Sequence, residues 1–185
     1  MEIKVGDYTF KTGLYKLLGY NGTGKTTLLT AIFLGNDFLK REILFDGKNV
    51  KDLSKKEFSK IQSKMIYIKS SGNLLKNVTV EENLLFVSKN IEIDEIPFKN
   101  KLTTSLSGGE EELVASLLYN LPEKEIVLLD EVTNFLDEKN LKVVIERIEK
   151  AAKDKIVIVA THDDRVILDN AIVYDLNNND TNFKQ

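Results

Sequence analysis

The chain has 185 residues, of which 42% are hydrophobic and 30% are charged. This length and balance predict one compact domain and argue against an intrinsically disordered chain. The formal net charge of −3 is too close to neutral to indicate bulk attraction to nucleic acid or anionic lipid. The absence of cysteine excludes disulfides and thiolate metal sites, and the single histidine excludes a cluster of histidine ligands.

The sequence also lacks the features of an exported or membrane-spanning chain. It does not open with the apolar core of a signal peptide, and no apolar run approaches the roughly 18 to 20 residues that cross a bilayer. We therefore expect a cytoplasmic protein, peripheral to a membrane only through a partner chain.

Strand-like and helix-like patterns alternate along most of the chain, which is typical of a parallel sheet with crossover helices. Short apolar runs predict strands at 15–18, 43–45, 65–68, 126–129, 156–160 and 172–174. Apolar residues at helical spacing predict helices at 24–34, about 54–63, 83–89 and 138–152. Asp46–Gly47 predicts a hairpin turn, and Ser54 and Thr79 each begin a capping box. The polar segment 177–185 is interpreted as a frayed tail.

The segment from about 70 to 121 differs from its surroundings, because turn signals and helix caps replace the strands there. We interpret it as a helical subdomain inserted into an α/β core of about 1–69 and 122–185. The fold class predicted for 1–185 is a single α/β domain with a mainly parallel sheet, a small antiparallel β part near the N-terminus and the helical insertion.

The clearest chemical signal is the pattern G-x-x-x-x-G-K-[ST] at 19–26, between a predicted strand and a predicted helix. Its glycines let successive backbone N–H groups face inward as an anion nest, and the following helix adds its positive N-terminal end. Lys25 is expected to reach the β- and γ-phosphates of a nucleotide, and the Thr26 hydroxyl to bind Mg²⁺. A chance glycine-rich turn is the alternative, and the strand–loop–helix context argues against it. The candidate nucleotide-binding residues are Gly19, Asn21, Gly22, Thr23, Gly24, Lys25, Thr26 and Thr27.

Two carboxylates follow the apolar strand predicted at 126–129. Asp130 is expected to hold Mg²⁺ through its water shell, and Glu131 to orient and deprotonate the attacking water. Two solvated acids at a strand end are the alternative, which the neighbouring phosphate-binding loop makes less favoured. The predicted fold is therefore a P-loop NTPase core.

A second candidate anion site lies at 106–110, in the sequence Leu-Ser-Gly-Gly-Glu. Ser107 and Glu110 also form a capping box for the next helix, and both interpretations are compatible. Gly108 and Gly109 leave bare N–H groups at a helix N-terminus, which favours phosphate. The three glutamates at 110–112 add negative charge near any phosphate, so a bound nucleotide is expected to need its Mg²⁺.

These elements together resemble the ATP-binding cassette (ABC) ATPases, and the resemblance covers most of the chain. Their order is that of the family: a Walker A loop at 19–26, the LSGG signature at 106–109, and Walker B with its glutamate at 126–131. A segment similar to the D-loop follows at 133–137. His162 follows the predicted strand at 156–160 and resembles the switch histidine that contacts the γ-phosphate, whereas a lone histidine is usually structural or merely exposed.

The resemblance implies ATP hydrolysis with Mg²⁺ by two cassettes, in a homodimer or heterodimer, that face each other head to tail around two ATP molecules. The catalytic residues that it implies are Glu131, His162 and Lys25. The signature residues that would contact the nucleotide of the partner are Ser107, Gly108 and Gly109. Asp137 in the D-loop would communicate between the two sites.

The sequence departs from the family after the strand at 65–68, because the glutamine that normally follows this strand is absent. Ser70 stands at that position and is a candidate magnesium ligand beside Thr26 and Asp130. The family's adenine-stacking aromatic residue also has no clear counterpart. The aromatic residues interpreted as core or hairpin residues, rather than as an adenine platform, are Tyr8, Phe10 and Tyr15.

Three functional hypotheses follow. The first is the nucleotide-binding subunit of an ABC transporter that docks on integral membrane subunits. The stretch 77–84 favours it, because it resembles the helical subdomain of transporter cassettes; a simple capped helix is the alternative. The second is a soluble ABC ATPase with a role in translation or on DNA. The third is a weakly hydrolysing regulatory or self-resistance cassette. No nucleic-acid partner is expected, because a solvated helix face explains the lysines at 48–64.

Overall fold

A computed structural model describes residues 1–36, 41–89, 91 and 98–177 of the chain. The strands within these ranges, in chain order, are β1 (Ile3–Val5), β2 (Tyr8–Phe10), β3 (Gly13–Leu18), β4 (Ile43–Phe45), β5 (Lys48–Asn49), β6 (Met65–Lys69), β7 (Ile126–Asp130), β8 (Ile156–Ala160) and β9 (Ile172–Asp175). The α-helices are α1 (Lys25–Leu34), α2 (Lys55–Gln62), α3 (Val80–Val87), α4 (Gly108–Ala115) and α5 (Glu138–Ala151). None of these helices combines the length and the apolar character that crossing a bilayer would require.

The larger sheet has the strand order β6-β7-β8-β3-β9, and all its pairs are parallel. Both β7 and β8 are buried at every position, which explains their unbroken apolar sequences. In β7, Ile126 and Leu128 pack with α1 on one face of the sheet, whereas Val127 and Leu129 pack with α4 and α5 on the other. The predicted parallel sheet is confirmed, and β3 begins at Gly13, two residues before the predicted start.

The smaller sheet has the order β2-β1-β4-β5 and is antiparallel, as the small β part near the N-terminus was expected to be. The turn between β4 and β5 is the predicted one: Asp46 and Gly47 have φ angles of 48° and 79°. Two positive φ values in succession are what a two-residue type I′ hairpin requires. The buried residues of this sheet pack in the same hydrophobic cluster as those of α1.

The capping boxes predicted at Ser54 and Thr79 are confirmed. The Ser54 and Thr79 side chains each accept a hydrogen bond from the N–H three residues on, and the glutamate at that position bonds back to the cap. Helix α3 begins at Val80 and ends at Val87, although its apolar spacing predicted 83–89. The described part of 70–121 forms helices and turns with one isolated β-bridge, between Thr79 and Leu102.

The aromatic residues near the N-terminus form part of the core, as expected. Tyr8, Phe10 and Tyr15 are all buried, and their rings surround Tyr174 of β9 at centroid distances of 4.9 to 5.9 Å. None of the three is therefore free to stack on a base.

The predicted frayed tail begins too early. Asn177 Oδ1 accepts a hydrogen bond of 2.9 Å from the N–H of Tyr20, so Asn177 is fastened to the loop after β3. The prediction was wrong at this residue because a local polar composition carries no information about a partner 157 positions away. The rest of the predicted tail, 178–185, lies outside the described residues.

One buried carboxylate stands out in the core beneath α4. Glu112 is 2% exposed, and within the described residues neither of its carboxylate oxygens reaches hydrogen-bond geometry with a partner. Burial raises the pKa of Glu112 to about 8, although the nearby Phe135 N–H offsets part of that shift. The Glu112 carboxyl group of the folded protein therefore stays protonated at pH values at which the same group in the unfolded chain, with an ordinary pKa near 4.5, has lost its proton.

Glu112→Gln is expected to stabilise the protein at high pH. Between about pH 4.5 and 8 the folded state binds more protons than the unfolded state, so wild-type stability contributed by Glu112 falls as pH rises. The glutamine should have little effect at pH 5 and should raise the free energy of unfolding by about 1 to 3 kcal/mol at pH 9. Denaturant unfolding at both pH values measures this, with Glu146→Gln on the exposed face of α5 as the control. A gain that is the same at both pH values would contradict the raised pKa.

Candidate nucleotide-binding site

The loop at 19–24 leaves the C-terminal end of β3 and enters α1 directly. It is closed by Thr23, whose N–H and hydroxyl both donate to the carbonyl of Tyr20, at 3.2 and 2.9 Å. Gly22 and Gly24 have φ angles of 83° and 95°, which side chains disfavour, and a β-carbon at Gly19 would overlap Thr23 Oγ1. The glycines of the motif are thus explained by this backbone path.

Helix α1 starts with no side-chain cap and with no acidic residue in its first turn. Its leading N–H groups and its positive dipole end therefore face the loop uncompensated by a protein carboxylate on the helix itself. This is the arrangement that favours a bound phosphate.

Lys25 places its ammonium group inside the curl of the loop. The residue is only 6% exposed, and Nζ donates to the carbonyls of Gly19 and Tyr20, at 2.6 and 3.3 Å. Nζ also lies 3.9 Å from Glu131 Oε1. A cation is therefore fixed at the centre of the predicted anion nest.

Thr26 and Asp130 meet at the same edge of the sheet, where the Thr26 hydroxyl donates to Asp130 Oδ1 at 3.1 Å. Burial raises the pKa of Asp130, and hydrogen bonds from Tyr67 and Thr26 counteract that rise. A hydroxyl beside a carboxylate is a set of hard oxygen donors, which suits Mg²⁺ better than a softer metal. Ser70, the further ligand suggested by the sequence, makes no hydrogen bond with Thr26 or Asp130.

Tyr67 is a site residue that the sequence did not reveal. Its hydroxyl donates to Asp130 Oδ2 at 2.9 Å, and it lies 3.3 Å from Thr30 Oγ1 on α1. The apolar pattern of 65–68 predicted a strand and nothing more. The available signal was a hydroxyl-bearing side chain within a run that otherwise supplies only apolar groups to the core.

Glu131 directly follows β7 and has a left-handed backbone conformation, so the chain leaves the direction of the strand at this residue. Its φ angle is 56°, and its N–H still donates to the carbonyl of Ala160 at 2.9 Å. His162 Nδ1 lies 2.8 Å from Glu131 Oε1, and the His162 N–H donates to Oε2 at 3.3 Å. The side chain of Glu131 is 17% exposed and that of His162 is 51% exposed, so the pair reaches solvent beside Lys25. A carboxylate in this position is suited to accepting a proton from water.

The structure thus brings most of the predicted site into one cavity of about 370 Å³. The residues that line it are Asn21, Gly22, Gly24, Lys25, Thr26, Thr27, Glu131 and His162. The predicted signature residues 107–109 and Asp137 do not line this cavity. They belong to a separate surface of the same chain.

Ser107 caps α4, as its capping box predicted, and the Glu110 carboxylate accepts the Ser107 N–H at 2.9 Å. The three glutamates at 110–112 do not all face the anion site. Glu110 bonds Lys101 at 2.9 Å, which lowers its pKa; Glu111 accepts the N–H groups of residues 72 and 73; and Glu112 is buried. The negative charge expected next to a phosphate is therefore only partly offset, by the Lys101 ammonium beside Glu110.

The segment at 133–137 is held on two sides. Asp137 caps α5 by accepting the Asn140 N–H at 2.8 Å. The Arg165 guanidinium donates to the carbonyls of Leu136 and Thr133, at 3.0 and 3.3 Å, and so joins this segment to the loop that carries His162. The sequence reasoning missed Arg165, because nothing in the local sequence predicts these carbonyl acceptors.

Comparison with known proteins gives the family that the sequence motifs resemble. The family profile described as ABC transporter matches residues 7–134, more than half of the chain. The energy-coupling factor transporter ATP-binding protein EcfA1 of Mycoplasmopsis synoviae is 31% identical over 195 residues, covering 94% of this chain and 70% of that protein. The methionine import ATP-binding protein MetN 1 of Listeria innocua is 30% identical over 159 residues, covering 76% of this chain and 46% of that protein. The chain spans about half the length of the methionine import proteins that it matches.

A solved structure supports the predicted fold class. The ATP-binding cassette MJ0796, in a dimeric post-hydrolysis state bound to ADP and Pi, superimposes with a TM-score of 0.67 at 23% identity. The match covers 88% of this chain and 86% of that one. The predicted P-loop α/β fold is confirmed.

Lys25→Ala is expected to weaken ATP binding by at least about 100-fold, because it removes a cation that is fixed at the centre of the phosphate-binding loop. Titration calorimetry with ATP and Mg²⁺ measures the affinity. Lys55→Ala, on the exposed side of α2, removes the same charge elsewhere and should leave the affinity unchanged. Equal affinities of wild type and Lys25→Ala for ATP would show that Lys25 does not contribute to nucleotide binding.

Proposed function

Because the chain belongs to the ATP-binding cassette family of ATPases, we propose that the cavity beside α1 binds ATP with Mg²⁺ and that Glu131 is the base for its hydrolysis. The observation that carries this proposal is the position of Glu131, between the Lys25 ammonium at 3.9 Å and His162 Nδ1 at 2.8 Å. No other described carboxylate lines that cavity.

The residues divide the chemistry between them. Lys25 and the N–H groups of the loop bind the phosphates, and His162 orients Glu131 and contacts the terminal phosphate. Glu131 accepts the proton of the attacking water as the water oxygen forms its bond to the γ-phosphorus. The bond from that phosphorus to the β,γ-bridging oxygen breaks in the same step, so that ADP leaves and inorganic phosphate is released. Thr26 and Asp130 would hold Mg²⁺, which neutralises charge on the phosphate oxygens when it is bound.

A second copy of the cassette completes the site in this proposal. Ser107, Gly108 and Gly109 lie outside the cavity of their own chain and form the N-terminus of α4, whose positive dipole end favours an anion. The solved cassette that matches this fold is dimeric and holds ADP and Pi. A head-to-tail pair would place each signature segment on the nucleotide of the other chain.

The physiological role that we propose is to power transport through separate membrane-spanning subunits. The names of the relatives support it, since EcfA1 is an energy-coupling factor transporter ATP-binding protein and MetN 1 a methionine import ATP-binding protein. One observation favours a second candidate, a weakly hydrolysing regulatory cassette: Ser70 replaces the family's glutamine and makes no hydrogen bond with Thr26 or Asp130.

Glu131→Gln is expected to trap an ATP-bound dimer, because the amide keeps the size of the side chain but accepts no proton from water. Size-exclusion chromatography with ATP should show a dimer for this variant and a monomer without nucleotide. Glu138→Gln, an exposed acid in the first turn of α5, is the matched control and should stay monomeric after turnover. Only monomer for Glu131→Gln, under conditions where calorimetry shows bound ATP, would argue against the two-chain site.

The transport role predicts a membrane partner. Affinity purification of the tagged chain from detergent-solubilised cells should recover integral membrane subunits in a fixed ratio to the cassette. Recovery of ribosomal or DNA-associated proteins instead would support the soluble alternative and count against transport.

A further inference from the structure

The Arg165 side chain holds the backbone of the segment at 133–137. Its guanidinium donates through Nη1 to the carbonyl of Leu136 at 3.0 Å and through Nη2 to the carbonyl of Thr133 at 3.3 Å. The Thr133 carbonyl also accepts the Leu136 N–H at 3.2 Å, so both acceptors of Arg165 belong to one closed turn. A single side chain from the loop that carries His162 therefore fixes the position of this turn.

The orientation of the guanidinium is set by Asp163. The Asp163 carboxylate accepts hydrogen bonds from Arg165 Nε at 2.9 Å and from Nη2 at 2.7 Å, and this pairing lowers the pKa of Asp163. The side chain of Asp163 is only 11% exposed, so it is a fixed support for the half-exposed arginine. A lysine has no planar fork of donors, so it could not pair with Asp163 in this way and also reach both carbonyls.

The turn that Arg165 holds packs against the start of α4. A β-carbon at Gly108 would lie 3.1 Å from Phe135 Cγ, and one at Gly109 would lie 2.8 Å from the Phe135 carbonyl oxygen. The backbone at Phe135 can therefore come this close only because glycine stands opposite. Phe135 is nevertheless 60% exposed, so a large apolar side chain faces solvent directly beside the N-terminus of α4.

We propose that Arg165 is a positioning residue for the surface that a second copy of the chain covers. Arg165 fixes the turn, and the turn fixes Phe135 against the two glycines that begin α4. The exposed ring then offers the second copy an apolar contact next to the N–H groups that would meet its nucleotide. Without the guanidinium the turn could shift, and the ring and the helix start would no longer form one surface. The inference rests on the proposed two-chain site.

The test uses Arg165→Lys in the Glu131→Gln background, with two measurements. Sedimentation velocity with ATP and Mg²⁺ gives the dimer dissociation constant. The affinity of the single chain for a fluorescent ATP analogue is measured at protein concentrations far below that constant. A role of Arg165 in its own nucleotide site would change the affinity, whereas a role in the surface for the second copy changes dimerisation. Arg147→Lys is the matched control, since Arg147 donates to the carbonyl of Leu113 at 2.8 Å, in the second half of α4.

Arg165→Lys should weaken dimerisation by about 10-fold or more, the factor for one lost hydrogen bond from a charged donor. It should change the affinity for the analogue by less than about twofold, and Arg147→Lys should change neither quantity. An unchanged dimer constant, a parallel loss of analogue affinity, or an equal weakening by Arg147→Lys would overturn the proposal.

Phe135→Ala supplies a second variant, because it removes only the exposed ring. It should weaken dimerisation without loss of analogue affinity, and it applies the same criteria if thermal unfolding shows that Arg165→Lys does not fold. Combined in one chain, the two substitutions should weaken dimerisation by less than the product of their separate effects, since both act on one contact. Fully multiplicative effects would contradict the action of Arg165 through Phe135.

The background variant separates this inference from the proposed function. A Glu131→Gln dimer that forms with ATP and that Arg165→Lys does not weaken rejects the role of Arg165 alone. A Glu131→Gln chain that binds the analogue and yet stays monomeric with ATP would reject the two-chain site, and the inference with it.

Discussion

The parallel register of β3, β7 and β8 is the constraint on which the candidate site depends. The pairs Leu17–Ala160 and Asp130–Ala160 bring the C-terminal ends of the three strands to one edge of the sheet. The phosphate-binding loop, the two acids and the histidine loop all begin at that edge. Since β7 and β8 are buried at every position, a one-residue shift of register would turn their packed side chains to the opposite face of the sheet and would also move these loops apart. Stability of the core and geometry of the site are therefore specified together.

Polar groups around this edge hold each other in place. Asp130 receives hydrogen bonds from α1 and from β6, and Glu131 is fixed by the histidine loop. Arg165 extends the same loop to the segment before α5. Arg165 thus links the loop that carries His162 to the segment before α5 through hydrogen bonds to two backbone carbonyls. Such links let one site influence another if each has two arrangements.

The sequence predicted those parts of the molecule that local pattern determines. The strands, the capping boxes and the Asp46–Gly47 turn depend on neighbouring residues, and the fold follows from their alternation. The role of Tyr67 was not predictable, because the direction of its hydroxyl is set by pairing between strands 61 residues apart. The bond between Asn177 and Tyr20 has the same origin. The partners of the glutamates at 110–112 could not be predicted either, because the local sequence does not show that residues such as Lys101 lie beside them.

The proposed ATP site is complete only when two chains meet. The rate of phosphate release per chain, measured with saturating ATP and Mg²⁺ over a wide range of protein concentration, distinguishes a two-chain site from a one-chain site. For a two-chain site we expect the rate per chain to rise with concentration and then to reach a plateau, because dimers form by mass action. A rate per chain that stays constant down to the lowest concentration of a monomeric protein would show that one chain is sufficient.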